Sequence, residues 1–405
     1  MTAPASRSAG GCPWAWRGAA PTDFDHRSPD LTEPGIWDAY DRLRDAGPVA
    51  ASSAHGGYYV LSRFAEVRNA LRNPEVFSSR HGFLLPAVGP ARTIPLDYDE
   101  PLHGEYRRVM TQALTPTRVR ELQPFLTRLI GDLVGAFAAG GGGDVVTSVA
   151  LPLPLAVLTE VVGFSTDTVS QLRGLTEQMW TRVDELDYDD ARGDIRTLLE
   201  AEMARRRAEP LDDFVTTLLA AEVDSRAISD DEAVRILMTM AIAGHETTMN
   251  AASSLLWLLA RDPALQERLR ADPSQAPSYV EELLRLRSPA QNFARRTTRE
   301  VLVDAVEVPA EAPVLLSFAA ANRDPAQFDR PDEFDVDRAT RGHLAFGWGI
   351  HQCLGAALAR VELRLLLEAF CTHPPIRIAG DVVFASPHGG AHWGPATVPL
   401  RFESA

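Results

Sequence analysis

The sequence contains no lysine, so all 40 of its basic side chains are arginines. Each of these side chains carries a planar guanidinium that stays charged at physiological pH. Positive charge is also outnumbered, because 55 acidic residues leave a net charge of −15. A chain this acidic is not expected to bind nucleic acid.

Cysteine is scarce, and long apolar runs are missing. Three cysteines, Cys12, Cys353 and Cys371, cannot build a disulfide framework, which fits a reducing compartment. No uninterrupted apolar run reaches the roughly 18 residues that a membrane span requires. Residues 1–18 contain no apolar signal core. We therefore expect a soluble, unexported, cytoplasmic protein without a membrane partner.

Nothing in the composition marks a domain boundary. Apolar residues make up 45% of the chain, which is ample for one large core. The four consecutive glycines at 140–143 separate a helical pattern ending near Phe137 from an apolar run at 145–158. We interpret them as an internal loop. The sequence predicts a variable N-terminal segment at 1–30 and a single, monomeric domain at 31–405.

A glycine-rich loop holds one cysteine just ahead of a helical pattern. Residues 346–355 read FGWGIHQCLG, with Cys353 close to the start of the helix. A thiolate needs N–H donors and the positive end of a helix to hold its charge, and the helix from Leu354 onward can supply both. We expect Gly347 and Gly349 to turn the backbone where a side chain would collide with a flat cofactor. The alternative is an ordinary buried cysteine in a core turn.

A long helix is predicted over residues 229–261. Ser229 and Glu232 form a capping box, and Asp262-Pro263 ends the run. The pattern is apolar on nearly every face, yet residues 243–248 read AGHETT. Thr247 can donate back to the carbonyl of Ala243, which would open the helix locally. The alternative is a polar kink with a structural role only.

These motifs resemble those of the cytochrome P-450 family. The loop matches the signature F-G-x-G-x-H-x-C-x-G, and A-G-x-E-T resembles the distal helix that handles oxygen. The resemblance makes Cys353 the iron ligand. It also implies that Thr247 orders the water that delivers protons to oxygen and that Glu246 relays protons from solvent. Further cofactor contacts are implied for Ala243, Phe346 and Gly355.

A second group of motifs resembles the family's scaffold. Glu282 and Arg285, at i,i+3 on a helix, resemble the E-x-x-R pair, and Arg338 resembles the arginine that locks onto it. The resemblance implies a buried structural triad, whereas the pair taken alone reads as an ordinary surface ion pair.

The haem propionates also have candidate partners. Residues that match propionate contacts in related members are His103, Arg107, Arg295 and His351. The usual D-P-P-E-H opening is altered to DEPLH at 99–103, which puts the local turn in doubt. The alternative for each residue is a surface or structural role.

The resemblance implies a mainly α fold with a smaller β portion, of the single-domain cytochrome P-450 type. It implies haem b, dioxygen as co-substrate, and electrons from NAD(P)H through a ferredoxin reductase and a ferredoxin. The expected reaction inserts one oxygen atom into a hydrophobic small molecule by hydroxylation, epoxidation or O-dealkylation, in natural-product tailoring or in aromatic or terpenoid catabolism. The alternatives are an aryl-coupling or peroxide-driven enzyme and a non-catalytic haem sensor. Such enzymes often alter the acid–alcohol pair, and here Glu246 and Thr247 are intact.

The positions of residues along the chain predict a substrate pocket and a docking surface for the redox partner. A substrate pocket is predicted from residues that are mostly apolar or aromatic, namely Phe83, Leu84, Leu85, Val88, Met240, Ala243, Phe293, His392 and Trp393. Their alternative role is core packing. A basic patch that would attract an acidic ferredoxin is predicted from Arg107, Arg108, Arg341, Arg360 and Arg364.

Overall fold

The structure is a computed structural model, and it describes residues 16, 18–87, 92–184, 189–338 and 342–403. In these ranges helices predominate and strands form smaller sheets. None of the described helices combines the length and the apolarity needed to cross a bilayer.

The α-helices differ widely in length, from one turn to nine. They are α1 Gly35–Ala46, α2 Phe64–Arg72, α3 Leu102–Thr111, α4 Pro116–Ala139, α5 Pro152–Val162, α6 Thr166–Asp184, α7 Asp189–Ala208, α8 Phe214–Leu219, α9 Asp230–Arg261, α10 Pro263–Ala271, α11 Ala276–Leu286, α12 Phe318–Ala321 and α13 Ala356–Cys371. A π-helical turn at Val146–Ala150 leads into α5.

The strands are short. They are β1 Ala20–Thr22, β2 Ala50–Ser52, β3 Tyr58–Leu61, β4 Phe77–Ser78, β5 Gly142–Asp144, β6 Glu222–Val223, β7 Arg226–Ala227, β8 Asn292–Thr297, β9 Val301–Val303, β10 Val306–Val308, β11 Pro313–Ser317, β12 Ile376–Ile378, β13 Val383–Phe384, β14 Pro395–Thr397 and β15 Pro399–Phe402.

The largest sheet has the strand order β1-β2-β3-β11-β8-β4. Its centre is apolar, because every residue of β3 is buried and β11 contributes Val314, Leu315 and Leu316. β3 and β11 pair in parallel, whereas β11 and β8 pair antiparallel. The largest apolar cluster is a mainly helical core, and two smaller apolar clusters pack against the faces of this sheet.

Helix α9 runs through the helical core. Ser229 and Glu232 form the predicted capping box, and Asp262 ends α9 while capping α10. A helix of 32 residues extends about 48 Å. It contacts α5, α7, α11 and α13, and most of its side chains are buried. This helix therefore holds any side chain at its middle in a fixed place within the core.

The glycine run at 140–143 is more than the loop that the sequence predicted. Gly142–Asp144 forms β5, an edge strand that pairs antiparallel with β15. Gly142 has φ +116°, and a Cβ there would overlap the carbonyl oxygen of Leu400. Only glycine tolerates both conditions. The pairing partner lies about 255 residues further along the chain, so no local pattern could have revealed the strand.

Candidate active site

A cavity of about 280 Å³ lies between the middle of α9 and the cysteine loop. Ala243, Gly244 and Thr247 of α9 line it, and so do Phe346 and Cys353 of the loop. The walls are mostly apolar. The two motifs that the sequence analysis identified lie about a hundred residues apart in the chain. In the structure they line the same cavity.

The loop presents the thiol of Cys353 at the start of α13. The Cys353 amide donates to the carbonyl of Phe346 at 2.8 Å, which closes the loop. The amides of Gly355 and Ala356 donate to the Cys353 sulfur. Burial raises the pKa of the thiol, and these amides together with the guanidiniums of Arg107 and Arg360 oppose that rise. The helix-terminal donors that a thiolate needs are thus in place.

The two loop glycines adopt backbone conformations that favour glycine. Gly347 and Gly349 both have positive φ, at +65° and +72°. A side chain at Gly349 would overlap the backbone oxygen of Leu71 in α2. The crowding at Gly349 therefore comes from α2, a part of the protein itself.

Thr247 makes the predicted bond within α9. Its hydroxyl donates to the carbonyl of Ala243 at 3.3 Å, and it lies on the cavity wall. The local opening of the helix that we expected is absent from the described structure, since residues 230–261 are one continuous α-helix. Ala243 and Gly244 leave this turn of the helix accessible from the cavity.

Glu246 is buried on another side of α9 and does not line the cavity. Its Oε1 lies 3.0 Å from Nδ1 of His388, and its Oε2 lies 3.5 Å from Nδ1 of His392. Burial would raise the pKa of this carboxyl, but the two imidazoles outweigh burial and lower the pKa to about 2. The carboxylate is therefore ionised, and two imidazoles compensate its burial.

Basic side chains cluster beside the cysteine loop. Arg107, Arg295 and His351 line the cavity, and the ring of His103 lies behind His351 with centroids 4.3 Å apart. Burial, followed by the charges of Arg295 and its neighbours, lowers the pKa of His351 to about 2. Nε2 of His103 is buried without a hydrogen-bond partner among the described residues. The altered DEPLH opening still places His103 on α3, next to this cluster.

Glu282 contacts both arginines of the predicted scaffold triad. Arg285 and Glu282 are fully buried and form a two-bond ion pair at 2.7 and 2.8 Å. Arg338 donates to the same carboxylate at 3.1 Å. Arg285 also donates to the carbonyls of Asn322, Pro331 and Glu333, so the cluster ties α11 to the segment ahead of the cysteine loop.

The predicted pocket residues divide into two groups. Those on the cavity wall are Phe83, Met240, Ala243, Phe293 and His392. Leu84, Leu85 and Trp393 do not line the cavity: Leu84 belongs to the helical core, and Leu85 and Trp393 pack in the cluster around α1. Residues 83–86 form a bend rather than an extended strand, so side chains that are adjacent in the sequence pack in different places. Val88 lies outside the described residues.

Two ionisable residues of the cavity wall were not predicted from the sequence. Glu362 of α13 is fully buried on the wall, and burial raises its pKa to about 8. The sequence pattern that could have identified Glu362 is an acidic residue on an apolar helix face, since Leu358 and Leu366 lie four residues before and after it. Arg192 of α7 is a buried guanidinium on the same wall. No local pattern distinguished Arg192, because α7 is rich in charge on its other faces.

The predicted basic patch is largely neutralised by nearby acids. Arg360 pairs with Glu281 at 2.6 Å, Arg364 with Glu368 at 2.7 Å, and Arg108 with Glu105 at 3.0 Å. Arg107 lines the cavity, and Arg341 lies outside the described residues. Charge on this face is therefore mixed, which a residue-by-residue count of arginines did not reveal.

Comparison with known proteins places the chain in a family. A model described as cytochrome P450 matches residues 188–373. Cytochrome P450 130 of Mycobacterium tuberculosis is 35% identical over 393 residues, covering 92% of this chain and 96% of that protein. Steroid C26-monooxygenase of Mycobacterium tuberculosis is 33% identical, covering 85% and 87%. The structure of cytochrome P450 CYP109Q5 from Chondromyces apiculatus superimposes with a TM-score of 0.84 at 30% identity, covering 95% of this chain and 99% of that one.

The fold and the cysteine loop together define an oxidoreductase of the haem-thiolate class. With these relatives, the chain belongs to the cytochrome P450 family and is a monooxygenase. The predicted fold, mainly α with a smaller β portion, is confirmed. The family implies a haem, dioxygen and electrons supplied from outside the chain.

The residues present fit a haem. A thiol with two amide donors lies at one place on the cavity, and four basic side chains stand beside it. The unpartnered Nε2 of buried His103 calls for a hydrogen-bonding group that the described protein does not supply. A flat cofactor with two carboxylates would satisfy that demand.

Proposed function

We propose that this enzyme uses haem b to insert one oxygen atom into a hydrophobic small molecule. The observation that carries the proposal is the single cavity on which the Cys353 thiol and the Thr247 hydroxyl both lie. When bound, the haem activates dioxygen, so that one oxygen atom enters the substrate and the other leaves as water. Hydroxylation, epoxidation and O-dealkylation are the reactions this chemistry allows.

Each site residue has a proposed role. Cys353 binds iron, and Arg107, Arg295, His103 and His351 hold the two propionates. Ala243, Phe346 and Gly355 contact the macrocycle. Thr247 orders water at the oxygen side, because its hydroxyl is fixed by the carbonyl of Ala243 while still facing the cavity. Glu246 relays protons from solvent toward that water.

The substrate is proposed from the cavity wall. Phe83, Met240 and Phe293 offer apolar and aromatic contact, and the Phe83 and Phe293 rings meet edge to face at 5.2 Å. Polar groups on the wall away from the thiol are few, chiefly Arg192, Thr239 and His392. Such a wall suits a largely apolar molecule that carries one or two polar groups. Natural-product tailoring and aromatic or terpenoid catabolism both supply molecules of this kind.

Electrons are proposed to come from NAD(P)H through a ferredoxin reductase and a ferredoxin. Because charge in the predicted patch is mixed, we propose that the ferredoxin contacts a few individual arginines there and is not attracted by a broad positive surface. A single catalytic domain at 31–405, a monomeric state and a cytoplasmic location complete the proposal.

The experiment is a ligand screen followed by turnover. Steroids, macrolides, terpenes, small aromatics and fatty acids are titrated into the haem-loaded protein, and the low-to-high-spin Soret shift is recorded. The compounds with the largest shifts are then incubated with NADPH, a ferredoxin reductase and several ferredoxins. We expect NADPH-dependent oxygenated product from at least one compound. A stable oxygen complex without substrate-dependent NADPH use would indicate a haem sensor, and product formed only with added peroxide would indicate a peroxide-driven enzyme.

A further inference from the structure

We propose that protons enter this site at His388, which takes them from water outside the cavity and gives them to Glu246. The inference rests on the proposed oxygenase function, and it adds a residue that the acid–alcohol pair does not include. It is drawn from how Glu246 is held in this chain.

Glu246 has no direct access to water on either side. Its side chain is 5% exposed, and it is not among the residues of the cavity wall. A buried carboxylate of this kind can exchange protons only through the groups that contact it. The groups that contact its two oxygens are the imidazoles of His388 and His392.

His388 contacts both the carboxylate and the outside. Its Nδ1 lies 3.0 Å from Oε1 of Glu246, while 45% of its side chain is exposed. It does not line the cavity, so this exposure faces away from the cavity wall. An imidazole is the side chain best suited to exchange protons near neutral pH. His392 stands at the other carboxylate oxygen and does line the cavity.

The turn that carries the two histidines is fixed in place. The His388 amide donates to the carbonyl of His392 at 2.9 Å, and the two residues form a β-bridge. Asn292 of β8 donates to the carbonyl of Gly390 at 2.9 Å, and the Gln291 amide donates to Ala391 at 2.7 Å. The backbone that carries the two histidines is therefore held in place beside Glu246.

The proton balance is simple. A protonated His388 ring passes its Nδ1 proton to Oε1 of Glu246, the carboxyl passes a proton from Oε2 to His392 on the cavity wall, and the neutral His388 ring takes a proton back from water outside the cavity. Each dioxygen molecule that yields one oxygenated product and one water uses two electrons from the redox partner and two protons from solvent. When protons arrive late, the same electrons leave as hydrogen peroxide.

The test uses His388→Asn in the haem-loaded protein. Asparagine keeps an N–H near the position of Nδ1, so Glu246 keeps its hydrogen bond, but the new side chain cannot exchange protons. His55→Asn is the matched control, because His55 also pairs with a carboxylate, Asp25, at 2.7 Å, and lies away from the cavity wall. We expect H388N to lower product formed per NADPH by roughly tenfold, with a matching rise in hydrogen peroxide and a larger solvent deuterium isotope effect.

A second readout does not depend on turnover. Histidine Cε1–H signals are followed by NMR in the reduced, CO-bound protein, and the His388 signal is assigned by its loss in H388N. We expect it to titrate between pH 5 and 8 and to shift its midpoint in Glu246→Gln. The titratable groups facing Glu246 are His388, His392 and His245, so the other two signals are followed in parallel.

The outcomes separate this inference from the proposed function. H388N that couples like the wild type, or a His388 signal that does not titrate between pH 5 and 8, overturns the inference. An H388N variant that loses the Soret shift or several degrees of melting temperature assigns His388 a structural role, which also overturns it. If the wild type turns over none of the compounds, the proposed function fails, and the NMR titration still decides the role of His388.

Discussion

Two buried glutamates near one cavity have opposite protonation. Glu246 has two imidazoles as partners, and its pKa falls to about 2. Burial raises the pKa of Glu362 to about 8. Environment alone thus makes one carboxyl a charged group and the other a neutral one at pH 7. Such separation is typical of sites that move protons.

Glu362 should make stability depend on pH. Because its pKa in the folded protein lies above its ordinary value of 4.5, its contribution to stability is full below pH 4.5 and is lost as pH rises to about 8. Glu362→Gln should remove this loss, which is up to about 3 kcal/mol at pH 7. Melting temperatures of both proteins between pH 5 and 9 provide the measurement, and parallel curves would show that Glu362 is ionised in the fold.

Cys353 should be the sole thiol that ligates iron. The reduced, CO-bound wild type should show the red-shifted Soret band of thiolate haem, and Cys353→Ser should lose it completely, since an alcohol does not supply the thiolate. Cys371→Ser, in the last turn of α13, serves as the control and should keep the band. Retention of the band in C353S would disprove the assignment.

Thr247→Ala should uncouple NADPH consumption from product formation. The pocket and the haem contacts remain, but water ordering fails, so product per NADPH should fall by roughly tenfold while hydrogen peroxide rises. Thr197→Ala is matched to it, because the Thr197 hydroxyl makes the same bond to the carbonyl four residues earlier, at 3.0 Å on exposed α7. Equal coupling in T247A and wild type would remove Thr247 from proton delivery.

At the scale of elements, helix α11 is fixed by a charge cluster rather than by apolar packing alone. Glu282 and Arg285 are both fully buried, and Arg285 reaches three carbonyls of the segment before the cysteine loop. Removing one partner would leave a buried charge without compensation. The position of the cysteine loop therefore depends on this cluster.

Arg285→Met should destabilise the protein by about 3–5 kcal/mol, because Glu282 then remains charged and buried. Urea unfolding of the haem-loaded protein gives the value. Arg118→Ala is the comparison, since Arg118 and Glu121 have the same i,i+3 spacing but are exposed, and it should cost less than about 1 kcal/mol. Similar losses in the two variants would contradict a buried triad.

How far the sequence predicted these elements depended on whether the signal was local. The capping box at Ser229, the bond from Thr247 to Ala243 and the cysteine loop each lie within a few residues, and the structure contains all three contacts. Strand β5, the partners of Glu246 and the pairing of Arg360 arise from residues 79 to 259 positions apart. Propensity and periodicity carry no information about such contacts.

At the scale of the whole molecule, a strongly acidic protein must still receive electrons from a partner. A net charge of −15 would repel an acidic ferredoxin at long range. The arginines on α13 offset this locally, although Glu281 and Glu368 pair with them. Docking should thus be sensitive to single charges on this face.

Arg364→Glu should slow reduction by an acidic ferredoxin several-fold, because it places two acids where an ion pair stood. Stopped-flow reduction at low and high ionic strength gives the measurement, and added salt should slow the wild type more than the variant. Arg299→Glu makes the same change of charge in the exposed turn between β8 and β9. Equal effects of the two substitutions would argue against docking at α13.

The pairing of β5 with β15 has a consequence for synthesis. Ribosomes add roughly 5–20 residues per second, so Gly142–Asp144 waits on the order of ten to fifty seconds for its partner strand to emerge. During that interval the nascent chain exposes an apolar flank at 145–158, part of whose packing partners, including α9 and β14, are made later. Chaperone binding to ribosome-bound intermediates should therefore concentrate on this stretch and end once residues 399–402 have left the exit tunnel.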